Sequence, residues 1–188
     1  MPSIDIHLAI ARQYLSKHAD IKNTFEFIKG NVAPDLVDDK KISHYTGEVK
    51  EKDNLIEDVS RKVRMEEYFK YNRIITDYDK GIFFHLVVDY LFFNNFFDTE
   101  YLLQNTDDGF RKDLYYSYNL TNKYLKTKYD TSYGVLRPKI EKYIGISKSN
   151  ANYNGEKRNN IIPFDKLDAF IDEVSDKDVE YFKEYEWV

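Results

Sequence analysis

From about Asp79 to Phe97 the chain is apolar on nearly every side: Ile82, Phe83, Phe84, Leu86, Val87, Val88, Leu91, Phe92 and Phe93 leave no polar face. A surface helix keeps one polar stripe, so a segment like this belongs in the middle of a helical domain. A buried strand competes for any short piece of it, but the length favours a helix. The longest apolar run, Ile82 to Phe97, is interrupted by His85, Asp89, Asn94 and Asn95, which makes it too short and too polar for a membrane span. The other helices must therefore be arranged around this one.

Those helices can be read from the spacing of apolar residues. Ile4, Leu8, Ala11 and Leu15 recur at helical intervals and carry His7 toward the core. Asp20 is placed to cap a second helix bearing Ile21, Phe25 and Ile28, which Gly30 and Pro34 would end. Asn31 to Thr46 reads as a loop holding Asp35 and His44. From Asp53, the residues Leu55, Ile56, Val59, Val63 and Phe69 follow a period near 3.6, with Glu57, Arg61, Lys62 and Glu66 opposite. Phe110, Leu114, Tyr118, Thr121, Tyr124 and Leu125 form a further stripe, and Val135, Leu136, Ile140 and Ile144 a shorter one. Asp165 and Asp176 are candidate caps for two last helices. The segment 145–160 is rich in Gly, Ser, Asn and Lys and reads as a flexible loop.

No alternating strand pattern or internal repeat is visible. With 7 Gly and 4 Pro in 188 residues, and 42% hydrophobic residues to fill a core, the expectation is all-α: one domain over 1–188, a multi-helix bundle around a central buried helix. Met1-Pro2-Ser3-Ile4-Asp5 has no basic or apolar signal, and the chain has no Cys, so a soluble cytoplasmic protein is expected. The net charge of -5 argues against duplex nucleic acid and anionic bilayers as partners.

His85 and Asp89 are four residues apart inside the most apolar helix, so their side chains share one face. An ionised carboxylate buried without partners costs on the order of several kcal/mol, so something must compensate Asp89. A metal ion would do so and would account for the histidine beside it. The plainer alternative is a hydrogen bond between the two, or to a neighbouring tyrosine. Without cysteine, any metal must be held by His, Asp and Glu. His7 and His44 also lie in apolar or constrained settings, whereas His18 reads as exposed or as a partner of a helix C-terminus. Taken alone, Asp35 after Pro34 reads as a turn residue or cap, and His44 as a hydrogen-bonded loop residue.

In order along the chain come Asp5-Ile6-His7-Leu8-Ala9, Gly30-Asn31-Val32-Ala33-Pro34-Asp35, Ser43-His44-Tyr45 and the helix Gly81-Ile82-Phe83-Phe84-His85-Leu86-Val87-Val88-Asp89-Tyr90. Together they resemble the zinc-dependent phospholipase C family, which shares an all-helical fold with the single-strand-specific zinc nucleases. The resemblance covers roughly the first half of the chain. It implies that Asp35, His44, His85 and Asp89 bind one zinc. It also implies that His7 binds a neighbouring zinc bridged by Asp89, and that Asp35 is a candidate general base. Two features depart from the family: Met1-Pro2-Ser3 stands where a metal-binding N-terminal Trp is usual, and no histidine follows His85. A three-zinc site is therefore not expected. Asp113 and Asn119 are candidates for a further oxygen ligand.

The resemblance implies a hydrolase holding one or two Zn2+ ions and attacking a phosphoester, first of all a phosphodiester, with metal-activated water. Its substrate would be a small molecule or a lipid, with Lys148, Lys157 and Arg158 as local attraction for phosphate. A different class of reading keeps the fold and part of the site but not the catalysis: a metal-stabilised binding or scaffolding protein. A third, the helical phosphohydrolases with an adjacent His-Asp pair, lacks its motif, because His18 is followed by Ala19 and His85 by Leu86.

Overall fold

A computed structural model describes residues 2–45, 63–97, 108–131, 134–136, 138 and 158–187. The first helix, α1 (Ile4–Lys17), follows an extended Ser3 and buries Ile6, His7, Leu8, Ala9, Ile10, Ala11 and Tyr14. His18 ends it, donating its backbone N–H to Tyr14 and placing Nε2 2.8 Å from the Ser175 carbonyl. The expected helix-end role of His18 is thus met.

The second helix, α2 (Thr24–Val32), is capped by Asn23, whose side chain accepts from the Glu26 N–H. Asp20 does not serve as the cap. The Asp77 carboxylate takes the Lys22 and Asn23 N–H groups at 3.0 and 2.7 Å, holding these residues out of the helix. Asp20 instead accepts from the Tyr14 hydroxyl and pairs with Lys80. Gly30 likewise does not end α2. It lies within the helix, where a Cβ would stand 2.1 Å from the Tyr78 carbonyl oxygen, so its role is close approach rather than termination.

The stretch expected as a loop is partly helical. A 3-10 turn, Ala33–Leu36, follows α2 with Pro34 in its opening positions, and a single-turn helix α3 (Lys40–Ser43) comes next. The start of the expected helix from Asp53 lies outside the described residues. Arg64 is non-helical, and α4 (Met65–Tyr71) begins only after it, burying Met65 and Tyr68. A single helix running unbroken into Phe69 is therefore not what forms.

The buried helix is α5 (Asp77–Leu91), opened by a reciprocal capping box between Thr76 and Asp79 and continued by a π-helical turn, Phe92–Phe96. Its buried face runs from Gly81 through Leu91 with only Ile82 partly covered. The long helix α6 (Asp108–Tyr129) buries Phe110, Leu114, Tyr118 and Leu125, in keeping with its stripe. A 3-10 turn, Gly134–Leu136, is the described part of the short helix expected next. Residues 139–157, with Lys148, Lys157 and most of the expected loop, lie outside the description.

Two caps differ from expectation near the end. Helix α7 (Phe164–Asp176) has Pro163 at its cap with no side-chain hydrogen bond, and Asp165 sits inside the first turn. Helix α8 (Val179–Lys183) is capped by Asp178, while Asp176 is drawn away to Lys17 at 2.6 Å.

Helix α5 packs along α2, and α1 packs against α2, α5, α6 and α7. One buried cluster joins Tyr14, Phe27, Phe83, Phe84, Phe92, Leu125, Ile171 and Phe182. Among the described residues there is no strand, and no helix is long and apolar enough to cross a membrane. The architecture is all-α, with a buried helix at its centre.

Candidate metal centre

Four elements bring five side chains together. Helix α1 supplies His7, the turn after α2 supplies Asp35, the residue after α3 supplies His44, and α5 supplies His85 and Asp89. All five are buried, with Asp35 the most exposed at 6%. The three imidazoles converge on Asp89: His7 Nε2 lies 3.3 Å from Oδ1, and His44 Nε2 and His85 Nε2 each lie 3.4 Å from Oδ2. His44 Nε2 is also 3.6 Å from Asp35 Oδ1 and 3.1 Å from His85 Nε2. The His7 and His85 rings stack at 3.8 Å.

For His85 and His44 the surroundings fix which ring nitrogen faces inward. His85 Nδ1 donates to the Asn31 carbonyl at 2.7 Å, and a carbonyl can only accept, so the proton is assigned to Nδ1. Neutral His85 therefore turns the bare Nε2 lone pair toward His44 and Asp89. His44 Nδ1 shares a hydrogen bond with Ser43 Oγ at 2.8 Å, leaving its own Nε2 inward. Such partners on the far nitrogen are how proteins hold metal-binding histidines. His44 is further set by Tyr45, a non-glycine residue at φ 53°, whose ring packs edge-on against Tyr68 and whose hydroxyl accepts from Asn72. That backbone costs roughly 1–3 kcal/mol and persists because packing over-determines it.

Two members of the centre lack hydrogen-bond partners. Both Asp89 oxygens and both His7 nitrogens are buried with no hydrogen-bond partner, so the 3.3 Å contact between them is not aligned as a hydrogen bond. A tetrahedral zinc with bonds of about 2.0–2.1 Å would space its donors about 3.3–3.4 Å apart. Three donors, His44 Nε2, His85 Nε2 and Asp89 Oδ2, stand 3.1, 3.4 and 3.4 Å apart, and Asp35 Oδ1 lies 3.6 Å from His44 Nε2. Two carboxylates would also cancel the charge of one dication. The donor set therefore fits a divalent ion.

Burial alone would raise the Asp89 carboxyl, but the charge of His85 and the contacts from His7 and His85 hold it well below the usual carboxylate range. Burial opposes ionisation of Asp35 too, yet the His44 contact and the charges of His85 and His7 keep it low. For His85, burial lowers the imidazole, but the charge and contact of Asp89 outweigh it and the net shift is upward. His7 goes the other way: burial, then the charge of His85, bring it from 6.5 down to about 4. It is neutral at pH 7.

Other sequence candidates fall elsewhere. Asp113 accepts from the Asn159 backbone and side chain, with Arg158 at 3.9 Å, and belongs to neither acid–imidazole group. Asn119 is partly exposed on α6. Two participants were not foreseen. Asn31 orients His85 through its backbone carbonyl, which no side-chain pattern can announce. The buried Tyr118 phenol on α6 is pushed well above 10 by burial, by Tyr115 and by the charges of Asp89 and Asp35.

Fold and centre together define an all-α protein with a buried His/Asp cluster able to hold a metal ion. No family model, curated protein or solved structure matches the chain.

Proposed function

We propose that this protein is a metal-dependent hydrolase of phosphoesters, phosphodiesters foremost, with zinc held by Asp35, His44, His85 and Asp89. The observation that carries the proposal is the set of three donors at tetrahedral spacing, His44 Nε2, His85 Nε2 and an Asp89 oxygen with no hydrogen-bond partner, with Asp35 Oδ1 3.6 Å from His44. The likeness to the zinc-dependent phospholipases C adds support, because the motifs that carry it contribute residues meeting at one point. When bound, the ion lowers the pKa of water toward neutrality and offsets negative charge on the phosphoryl group.

The chain's own residues then divide the work. His85 and His44, locked by Asn31 and Ser43, supply fixed nitrogen donors. Asp89 supplies charge from a rigid helix. Asp35 lies 3.6 Å from His44 Nε2 and is the least buried of the four. It stays ionised at neutral pH, and the resemblance makes it the candidate general base for the attacking water.

A second reading, a metal-stabilised scaffold, is favoured by one observation: four donors all come from the chain and are buried, as in structural zinc sites. Elemental analysis and a screen of phosphomonoesters and phosphodiesters, on wild type and His85→Ala, separate the two. Hydrolysis predicts bound zinc and turnover, both lost in the variant. Zinc with no turnover of any phosphoester selects the scaffold. Absence of metal from both proteins would sink the two readings together.

A further inference from the structure

We infer that the centre holds one ion rather than two, and that His7 is a positioning residue that presents its Nε2–H to the oxygen of Asp89 facing away from that ion. The inference rests on the metal site proposed above and specifies its stoichiometry.

Two acid–imidazole groups can be drawn among the described residues: His7, Asp35 and His85, and His44, His85 and Asp89. They share His85. An imidazole nitrogen has one lone pair, and Nδ1 of His85 is spent on the Asn31 carbonyl, so Nε2 can serve a single ion. The group containing His7 would also draw on Asp35, whose Oδ1 lies 3.6 Å from His44 Nε2. With His85 Nε2 committed, a second ion would have His7, Asp89 Oδ1 and at most the other Asp35 oxygen, with one imidazole among them. Charge points the same way. Asp35 and Asp89 together neutralise one dication, and a second would leave two uncancelled charges among buried residues.

His7 itself is built differently from the two ligands. His44 and His85 each have a partner on Nδ1, whereas His7 Nδ1 has none. Its ring lies flat on His85 with an interplanar angle of 13°. Its Nε2 is 3.3 Å from Asp89 Oδ1, the oxygen left over when Oδ2 joins His44 and His85. A bare lone pair against a carboxylate oxygen would repel, and a neutral imidazole removes that repulsion by placing its proton on Nε2. A small turn of either side chain aligns this contact, through which His7 fixes the rotation of the Asp89 carboxylate, while its ring braces His85 from one face. Orienting groups of this kind typically contribute about 10–100-fold to metal affinity.

The test is metal titration of the full chain with Zn2+, and with Co2+ for its absorption spectrum, on wild type, His7→Ala, His7→Gln and His85→Ala. One ion per chain is expected in wild type. His7→Ala should still bind one ion, about 10–100-fold more weakly, with an unchanged tetrahedral Co2+ spectrum. His7→Gln, which fills the space and keeps an N–H donor, should recover most of the affinity. His85→Ala should bind none. Nitrogen NMR of the zinc-loaded protein should show a proton on His7 Nε2. Two ions in wild type, loss of a whole equivalent in both His7 variants, or a metal-bound His7 Nε2 would overturn this inference alone. No ion in wild type would remove the proposed site with it.

Discussion

Replacing Gly30 by alanine should damage the centre without touching a single donor. Gly30 lies inside α2, where an added Cβ would stand 2.1 Å from the Tyr78 carbonyl oxygen and 2.9 Å from its carbon. Ordinary contact begins at 3.4 Å, so α2 and α5 would have to part by about 1.3 Å, and the obstruction is backbone that no rotamer change can clear. Overpacking of this severity costs about 3 kcal/mol, and the better helix propensity of alanine returns roughly 1, leaving a net loss of about 2 kcal/mol. The next residue, Asn31, carries the carbonyl that holds His85 Nδ1 at 2.7 Å, and a shift of that size breaks this bond. Loss of such a partner should weaken zinc binding about 10–100-fold. Denaturant unfolding and zinc competition measure the two effects. Gly81→Ala meets the same crossing from the other side, at 2.2 Å from the Phe27 carbonyl oxygen, so the double variant should cost less than the sum of the two. A Gly30→Ala protein as stable as wild type, with unaltered zinc affinity, would refute the role given to this crossing.

Metal-free protein should lose up to about 3 kcal/mol of stability as pH falls from 6.5 to about 4, because over that range the unfolded chain protonates His7 while the folded one keeps it neutral. The raised His85 contributes its full stability below 6.5, and the lowered Asp35 and Asp89 lose theirs only below 3.8, so this window belongs to His7. Chemical denaturation across the window should show the slope in wild type and a flatter one in His7→Gln; a flat wild-type profile contradicts the assignment. Asp168→Ala should cost about 1–2 kcal/mol in the same assay, since Asp168 accepts from the Tyr124 and Tyr129 hydroxyls at 2.5 and 2.9 Å and so ties α6 to α7. Its contact with the half-exposed Lys128 adds little, and Lys128→Ala should be near neutral. Thr76→Ala removes the capping box of α5 and should cost about 1 kcal/mol, with Thr76→Ser recovering most of it.

What the sequence discloses and what it hides have one cause. The position of α5 is legible because its residues leave no face for water, and the anomaly of Asp89 inside it is legible for the same reason. Helix caps are not, since several acids compete for each one and distant partners decide: Asp77 holds the amides ahead of α2, and Lys17 draws Asp176 away from α8. Gly30 is misread because glycine both ends helices and lets them touch, and only the partner, Tyr78, distinguishes the two uses. Yet the hidden crossing and the visible anomaly depend on each other. Helix α5 can be apolar all round only if other helices close over it, and the glycines at positions 30 and 81 let α2 come near enough for a backbone carbonyl to reach His85. The close packing that makes an unpartnered Asp89 costly thus also sets the nitrogen that would share an ion with it. Stability of the core and affinity of the centre should therefore rise and fall together along the α2–α5 contact, whereas substitutions confined to the α6–α7 tie at Asp168 should change stability and leave metal binding unaltered.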